Sequence, residues 1–149
     1  MKRLLIPLLL AYSFSLAAVE LPYQTLKGEA KNLTDHRGKW VVINYWATWC
    51  PPCLEEIPEL ILFHESHKDK DAIVLGFDME QASPARLSKF IEENMISYPI
   101  VPNAESSDKI GVVPGLPTTY LINPEGEVVA SQVGTVTSDM LESYINKNK

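Results

Sequence analysis

Apolar residues recur along this chain with two different periods, and the period switches several times. Trp40-Val41-Val42-Ile43-Asn44-Tyr45 is a short, almost unbroken apolar run, the mark of a strand buried on both faces. Ala72 to Phe77 is a second run of this kind. Between them, from Cys53 to His67, Leu54, Ile57, Leu60, Ile61 and Phe63 fall mostly on one side of a helix, with Glu55, Glu56 and Glu59 elsewhere. Pro58 has no N–H to reach Leu54, so a kink is expected there. Ser83-Pro84 starts a second helix with proline in its first turn, and Leu87, Phe90 and Ile91 form its apolar face. Thr118 to Ile122 and Val128 to Val133 read as two strands joined at Pro124-Glu125-Gly126. A last helix, capped by Thr137 or Ser138, carries Met140, Leu141, Tyr144 and Ile145 as a stripe.

Ahead of these elements, Tyr23 to Leu33 suggests a short hairpin turning at Lys27-Gly28, and Thr34 to Lys39 reads as a polar loop containing Gly38. Strand, helix, strand, helix, hairpin and helix in this order imply an α/β fold, a central sheet with helices on both faces. No repeat or linker divides it, so one domain is expected over residues 18–149.

The first residues follow a different logic. Lys2 and Arg3 precede an apolar run from Leu4 to Leu16 and the small-residue stretch Ser15-Leu16-Ala17-Ala18. That layout predicts a secretory signal peptide over residues 1–17, or to Ala18, and hence a periplasmic or otherwise extracytoplasmic protein. A spanning helix needs roughly 20 apolar residues. This run is shorter and carries Pro7, Ser13 and Ser15, which makes an uncleaved anchor the second reading.

Loss of Lys2 and Arg3 would move the formal net charge from −6 to −8. An acidic surface without a basic run repels phosphate backbones and anionic lipid, so nucleic-acid and membrane-surface binding are excluded as leading functions. Protein or small-thiol partners and a monomeric state are expected instead.

Candidate chemistry centres on the two cysteines. Closing so short a loop as Cys50 to Cys53 stabilises a fold by only about 2 kcal/mol in the chain-entropy model, so reactivity explains the pair better than stapling. The segment Trp46-Ala47-Thr48-Trp49-Cys50-Pro51-Pro52-Cys53 lies between a strand and a helix, the setting in which C-x-x-C is a redox motif. Pro51 suits a first helical turn and puts Cys50 near the N-cap, where unpaired N–H groups and the helix dipole favour the thiolate that attacks disulfides.

Zinc is the rival, because His64-x-x-His67 follows. On one helix His64 would stand about 16 Å from Cys53, too far for a shared site. Both histidines are expected to be solvated near the helix C-terminus, and His36 to be a loop residue. Trp46 reads as core and Trp49 as the apolar rim of the site. Glu56 has a plain alternative role, a carboxylate favoured in the first turns of a helix by the dipole alone.

Three motifs in register carry a resemblance. They are Val42 to Cys53, Pro58 five residues later, and Gly115-Leu116-Pro117-Thr118-Thr119-Tyr120-Leu121-Ile122-Asn123-Pro124-Glu125-Gly126. Together they resemble the TlpA and ResA branch of the thioredoxin superfamily, extracytoplasmic reductases that include cytochrome c maturation factors. The resemblance implies a thioredoxin-like fold with catalytic Cys50, Cys53 and Glu56. It also implies a cis Pro117 packed on the active-site disulfide, Leu116 offering backbone hydrogen bonds to substrate, and Trp49, Pro51 and Pro52 lining the contact. Asn44 stands where ordinary thioredoxins place a buried aspartate.

No cofactor beyond a redox-active Cys50–Cys53 disulfide is implied, and the electron donor would be a membrane thiol reductase of the DsbD or CcdA type. Pro51 and Pro52 remove two N–H donors and Glu56 adds a negative charge, which disfavours the thiolate and points to a reductase rather than an oxidase. A thiol peroxidase of thioredoxin-like fold and a non-catalytic binding or chaperone module are the alternatives.

Overall fold

The sheet is built around its most apolar segment. In the computed structural model, which describes residues 18–105 and 108–149, β3 (Trp40–Trp46) has every residue buried. The expected signal segment 1–17 lies outside the described residues. β3 is central in a five-stranded mixed sheet. β4 (Ala72–Asp78) and then β5 (Ile100–Val101) run parallel to it on one side; β6 (Thr118–Ile122) and β7 (Val128–Val133) complete the other as an antiparallel pair. β1 (Pro22–Gln24) and β2 (Ala30–Asn32) form the separate hairpin, whose turn Gly28 closes at a φ of 85° and with an N–H to the Thr25 carbonyl.

Alternation along β3 divides the core into two layers. Trp40, Val42 and Trp46 pack with the helices α1 (Pro51–His67), α2 (Pro84–Glu93) and α3 (Ser138–Lys147), through Leu60, Leu87, Leu141 and Ile145 among others. Val41, Ile43 and Tyr45 meet Leu33, Tyr23 and Ile110 on the opposite face. The helical elements therefore occupy both faces unequally, three α-helices on one and a single 3-10 helix (Leu33–His36) on the other. The crossovers through α1 and α2 step in the same direction across the sheet, and right-handed crossovers that do so must land on one face.

Two local readings change. The expected polar loop at Thr34 begins as the 3-10 helix, because the Asn32 side chain accepts from Thr34 N–H at 3.2 Å and Asp35 accepts from Asn32 N–H at 2.7 Å. α1 starts at Pro51 with Cys50 as its N-cap, as Pro51 suggests, but runs unbroken past Pro58. Leu54 and Pro58 are both exposed, so the carbonyl left without a helical donor can be hydrated.

The histidines of α1 are not solvated. His64 is 6% exposed and its Nδ1 accepts from Val74 N–H at 3.1 Å. That N–H points to the side where β5 would continue, but β5 pairs only with Gly76 and Phe77, and the imidazole takes the place of the missing strand. His67 stacks on Phe63 at 4.5 Å and meets Asp71 Oδ1 at 2.8 Å.

His64 must be neutral to accept that bond, and burial holds its pKa below the ordinary imidazole value. Below about pH 6.5 the unfolded chain therefore binds a proton that the folded chain excludes, and stability falls as pH falls. In His64→Gln the side-chain oxygen can still accept from Val74 with no proton involved. Denaturant titrations should show the variant gaining on the parent between about pH 7.5 and about pH 5.5. A gap that does not change with pH would mean that His64 titrates as it does in the unfolded chain.

Candidate active site

The chain leaves β3 at Trp46, turns through Ala47 to Trp49, and enters α1 with Cys50 as the N-cap at φ −94° and ψ 105°. Cys50 and Cys53 are joined as a disulfide with Cα atoms 5.3 Å apart, and both are buried. Of the first three helical residues only Cys53 has an N–H; it donates to Cys50 Sγ at 3.3 Å, while Pro51 and Pro52 have none. The positive end of α1 thus reaches the sulfur through one donor instead of three. Trp49 is 65% exposed and Pro51 is exposed, which makes the approach to the disulfide apolar.

Pro117 follows a cis peptide bond from Leu116. The β3–β6 register pairs Tyr45 with Thr118, so the residue before Thr118 sits level with the end of β3, where α1 begins. Leu116 is half-buried and packs against the apolar cluster that includes both cysteines. The Pro117 carbonyl accepts from Gly134 N–H at 2.9 Å, which brings the segment after β7 to the same edge.

Glu56 lies one turn beyond Cys53 and is 1% exposed, so it is not the surface carboxylate that a dipole role would require. Its Oε1 accepts from Asn44 Nδ2 at 2.6 Å, and its Oε2 accepts from the Val136 N–H at 2.9 Å. Asn44 also donates to Thr119 Oγ1 at 3.1 Å. Burial pushes the Glu56 carboxyl up to about 7, and the bonds from Val136 and Asn44 only partly offset it. Tyr98, buried and close enough to feel Glu56, has its phenol pushed up by burial and by that charge.

The sequence brings Cys50, Cys53, Trp49, Pro51, Pro52 and Glu56 together by proximity, and the sheet adds Leu116 and Pro117. Val136, Thr119 and Tyr98 had no local signal, because they reach Glu56 or Asn44 across the fold. Among the described residues no group of three or more His, Cys, Asp or Glu is placed to hold a metal.

A C-x-x-C disulfide at the start of the helix that follows the central strand, on this sheet, defines a thiol-disulfide oxidoreductase of thioredoxin-like fold. The chain belongs to the AhpC/TSA family, whose model matches residues 11–131. It is similar to the thiol-disulfide oxidoreductase ResA of Bacillus thuringiensis subsp. konkukian, at 32% identity over 124 residues, covering 82% of this chain and 70% of that protein. Among solved structures it is similar to a DsbF homologue from Corynebacterium diphtheriae, with a TM-score of 0.78 and 29% identity over 87% of this chain and 85% of that one. It is also similar to a secreted thiol-disulfide isomerase from Corynebacterium glutamicum, with a TM-score of 0.76 and 26% identity over 85% of this chain and 81% of that one.

Glu56 ties the site to stability. Its carboxyl titrates near 4.5 when unfolded and at about 7 when folded, so between those values the folded state holds a proton that the unfolded state has lost. Stability therefore falls as pH rises through that window. Glu56→Gln removes the titration, and the parent should lose about 3 kcal/mol relative to the variant on going from the lower to the upper limit. Urea unfolding of both chains at the two limits measures it. A difference that does not change with pH would mean that Glu56 ionises as freely in the fold as out of it.

Proposed function

We propose that this chain is an exported reductase of protein disulfides that works through Cys50 and Cys53, and the single N–H donor on the Cys50 sulfur carries the reading. A thiolate held by one donor is less stabilised than one held by three, and a poorly stabilised dithiol gives its electrons up more readily. The apolar approach past Trp49 suits a protein substrate. The N-terminal pattern and the likeness to a secreted isomerase support export.

In the reduced enzyme the Cys50 thiolate attacks one sulfur of the substrate disulfide; that bond breaks, and the other substrate sulfur leaves and takes up a proton. Cys53 then loses its proton and attacks the Cys50 sulfur, which releases the second substrate thiol. The substrate gains two electrons and two protons; the Cys50–Cys53 pair supplies both electrons and the Cys53 proton, and the other proton is the one Cys50 released to solvent when its thiolate formed. Glu56 is assigned the Cys53 proton, being three residues on along one helix face and poised close to neutrality. Asn44, the neighbouring polar group, cannot accept one. Leu116 holds the substrate backbone, Pro117 flanks the disulfide, and Trp49, Pro51 and Pro52 form the apolar contact.

A membrane thiol reductase of the DsbD or CcdA type would return the electrons, since an exported enzyme is cut off from cytoplasmic donors. The resemblance to the TlpA and ResA branch puts cytochrome c maturation or oxidase assembly first among processes, with substrates whose cysteines must be reduced before haem or copper is attached. Trapping substrates on Cys53→Ala in its own cell would name them.

A glutathione titration should place the couple on the reducing side of the roughly −180 mV of a disulfide isomerase. A value near the roughly −120 mV of a strong oxidant would reverse the direction of electron flow. Peroxide consumption without any protein thiol substrate would point to a peroxidase instead.

A further inference from the structure

The loop that carries Cys50 is fastened to its neighbour by groups with no part in the chemistry above. Thr48, two residues before Cys50, donates its hydroxyl to Glu80 Oε1 at 2.7 Å and accepts from Arg86 Nη2 at 3.2 Å. The Glu80 side chain is only 10% exposed, and its Oε2 lies 4.0 Å from Arg86 Nη2. Glu80 is itself oriented by Asp78, the last residue of β4, whose Oδ1 accepts from Glu80 N–H at 3.3 Å while its carbonyl accepts from Ala104 N–H at 2.7 Å. Met79 N–H bonds to the Trp46 carbonyl at 2.9 Å, so the loops after β3 and β4 are joined at two points, one backbone and one side chain. Only the second can be removed by substitution at a side chain.

This fastening matters most when the dithiol is open. In the oxidised enzyme the disulfide itself fixes Cys50 over Cys53. In the reduced enzyme that bond is gone, which leaves the turn bond from Cys50 N–H to the Ala47 carbonyl at 3.3 Å and the Thr48 tether, two residues before Cys50, to keep Cys50 near Cys53. A tether that keeps two thiols in bonding position raises their effective concentration and so favours ring closure. By linkage it favours the disulfide and makes the couple more reducing.

We propose that Thr48 and Glu80, with Arg86, are positioning residues that hold Cys50 over Cys53 in the reduced state and so strengthen the reductase that the pair is proposed to be. The proposal rests on that reading of function and adds a source of reducing power separate from the prolines and Glu56.

The experiment is a glutathione titration of the Cys50–Cys53 couple in the full chain, with Thr48→Val, Thr48→Ser, Glu80→Ala and Glu80→Gln. Thr48→Val keeps the shape and loses the hydroxyl. It should shift the equilibrium constant toward the dithiol by about tenfold, the scale of one hydrogen bond to a charged group, or about 30 mV less negative. Thr48→Ser should restore the parent value. Glu80→Ala should shift the constant the same way, by no more than Thr48→Val, which also loses the bond from Arg86, and the double variant should be no worse than Thr48→Val alone, because both remove the Thr48–Glu80 bond.

Glu80→Gln separates this from a simple charge effect. The amide oxygen still accepts from Thr48, so the parent value should be nearly kept, whereas a charge acting directly on the thiolate would shift in Glu80→Gln as in Glu80→Ala. Parent-like constants in Thr48→Val and Glu80→Ala, or additive shifts in the double variant, would overturn the proposal. Absence of disulfide reduction by the parent chain, or its survival in Cys50→Ser, would overturn the reading of function instead.

Discussion

The bond pair on Glu56 is the constraint on which the rest of the site depends. One carboxylate, buried from water, joins Asn44 on the central strand to the Val136 N–H just before α3, and sits one turn from the redox cysteines. Through Asn44 the same network reaches Thr119 on β6, the strand that Pro117 leads into. Deleting the carboxylate would strand a buried amide and a buried N–H, each costing about 1–3 kcal/mol. The group is therefore structural in its partners. Its raised pKa nonetheless works against stability near neutrality, since the fold must then bury a charge or hold a proton. A residue that costs stability at the pH where the enzyme operates is hard to explain by packing alone, whereas a proton acceptor for Cys53 needs that pKa.

Much of this architecture was legible because buried strands write themselves as apolar runs. β6 and β7 stand at the expected residues; β3 and β4 each extend one residue further, to Trp46 and Asp78. Caps were legible too, with Ser83 and Thr137 bonding the N–H groups of Arg86 and Met140. The two residues of β5 are too few to show a period, and the strand exists because β4 offers an edge at Gly76 and Phe77. Its shortness in turn explains His64, whose ring replaces a backbone acceptor that a longer β5 would have provided. None of this is visible in a spacing of histidines.

The site divides in the same way. Cys50 and Cys53 were given by spacing and by their place between strand and helix, and Leu116 and Pro117 by the resemblance. The burial of Glu56 was not, because the N–H that holds it comes from a residue 80 positions away. The Thr48–Glu80 bond spans 32 positions and joins two loops, where sequence patterns carry no pairing information. Local chemistry follows from the order of residues; the tuning of that chemistry follows from contacts that only the sheet creates.

Glu56 is assigned both the proton of Cys53 and a share in setting the thiolate's stability, and the reduced Glu56→Gln chain tests this most directly. Thiolate absorbance should titrate at lower pH than in the parent, since the neighbouring negative charge is gone. Mixed disulfides with substrate should also persist longer, since Cys53 has lost its proton acceptor. A variant whose thiols titrate like the parent's and whose mixed disulfides resolve at the parental rate would contradict the account, and would leave Glu56 as a buried tie between helix, strand and loop.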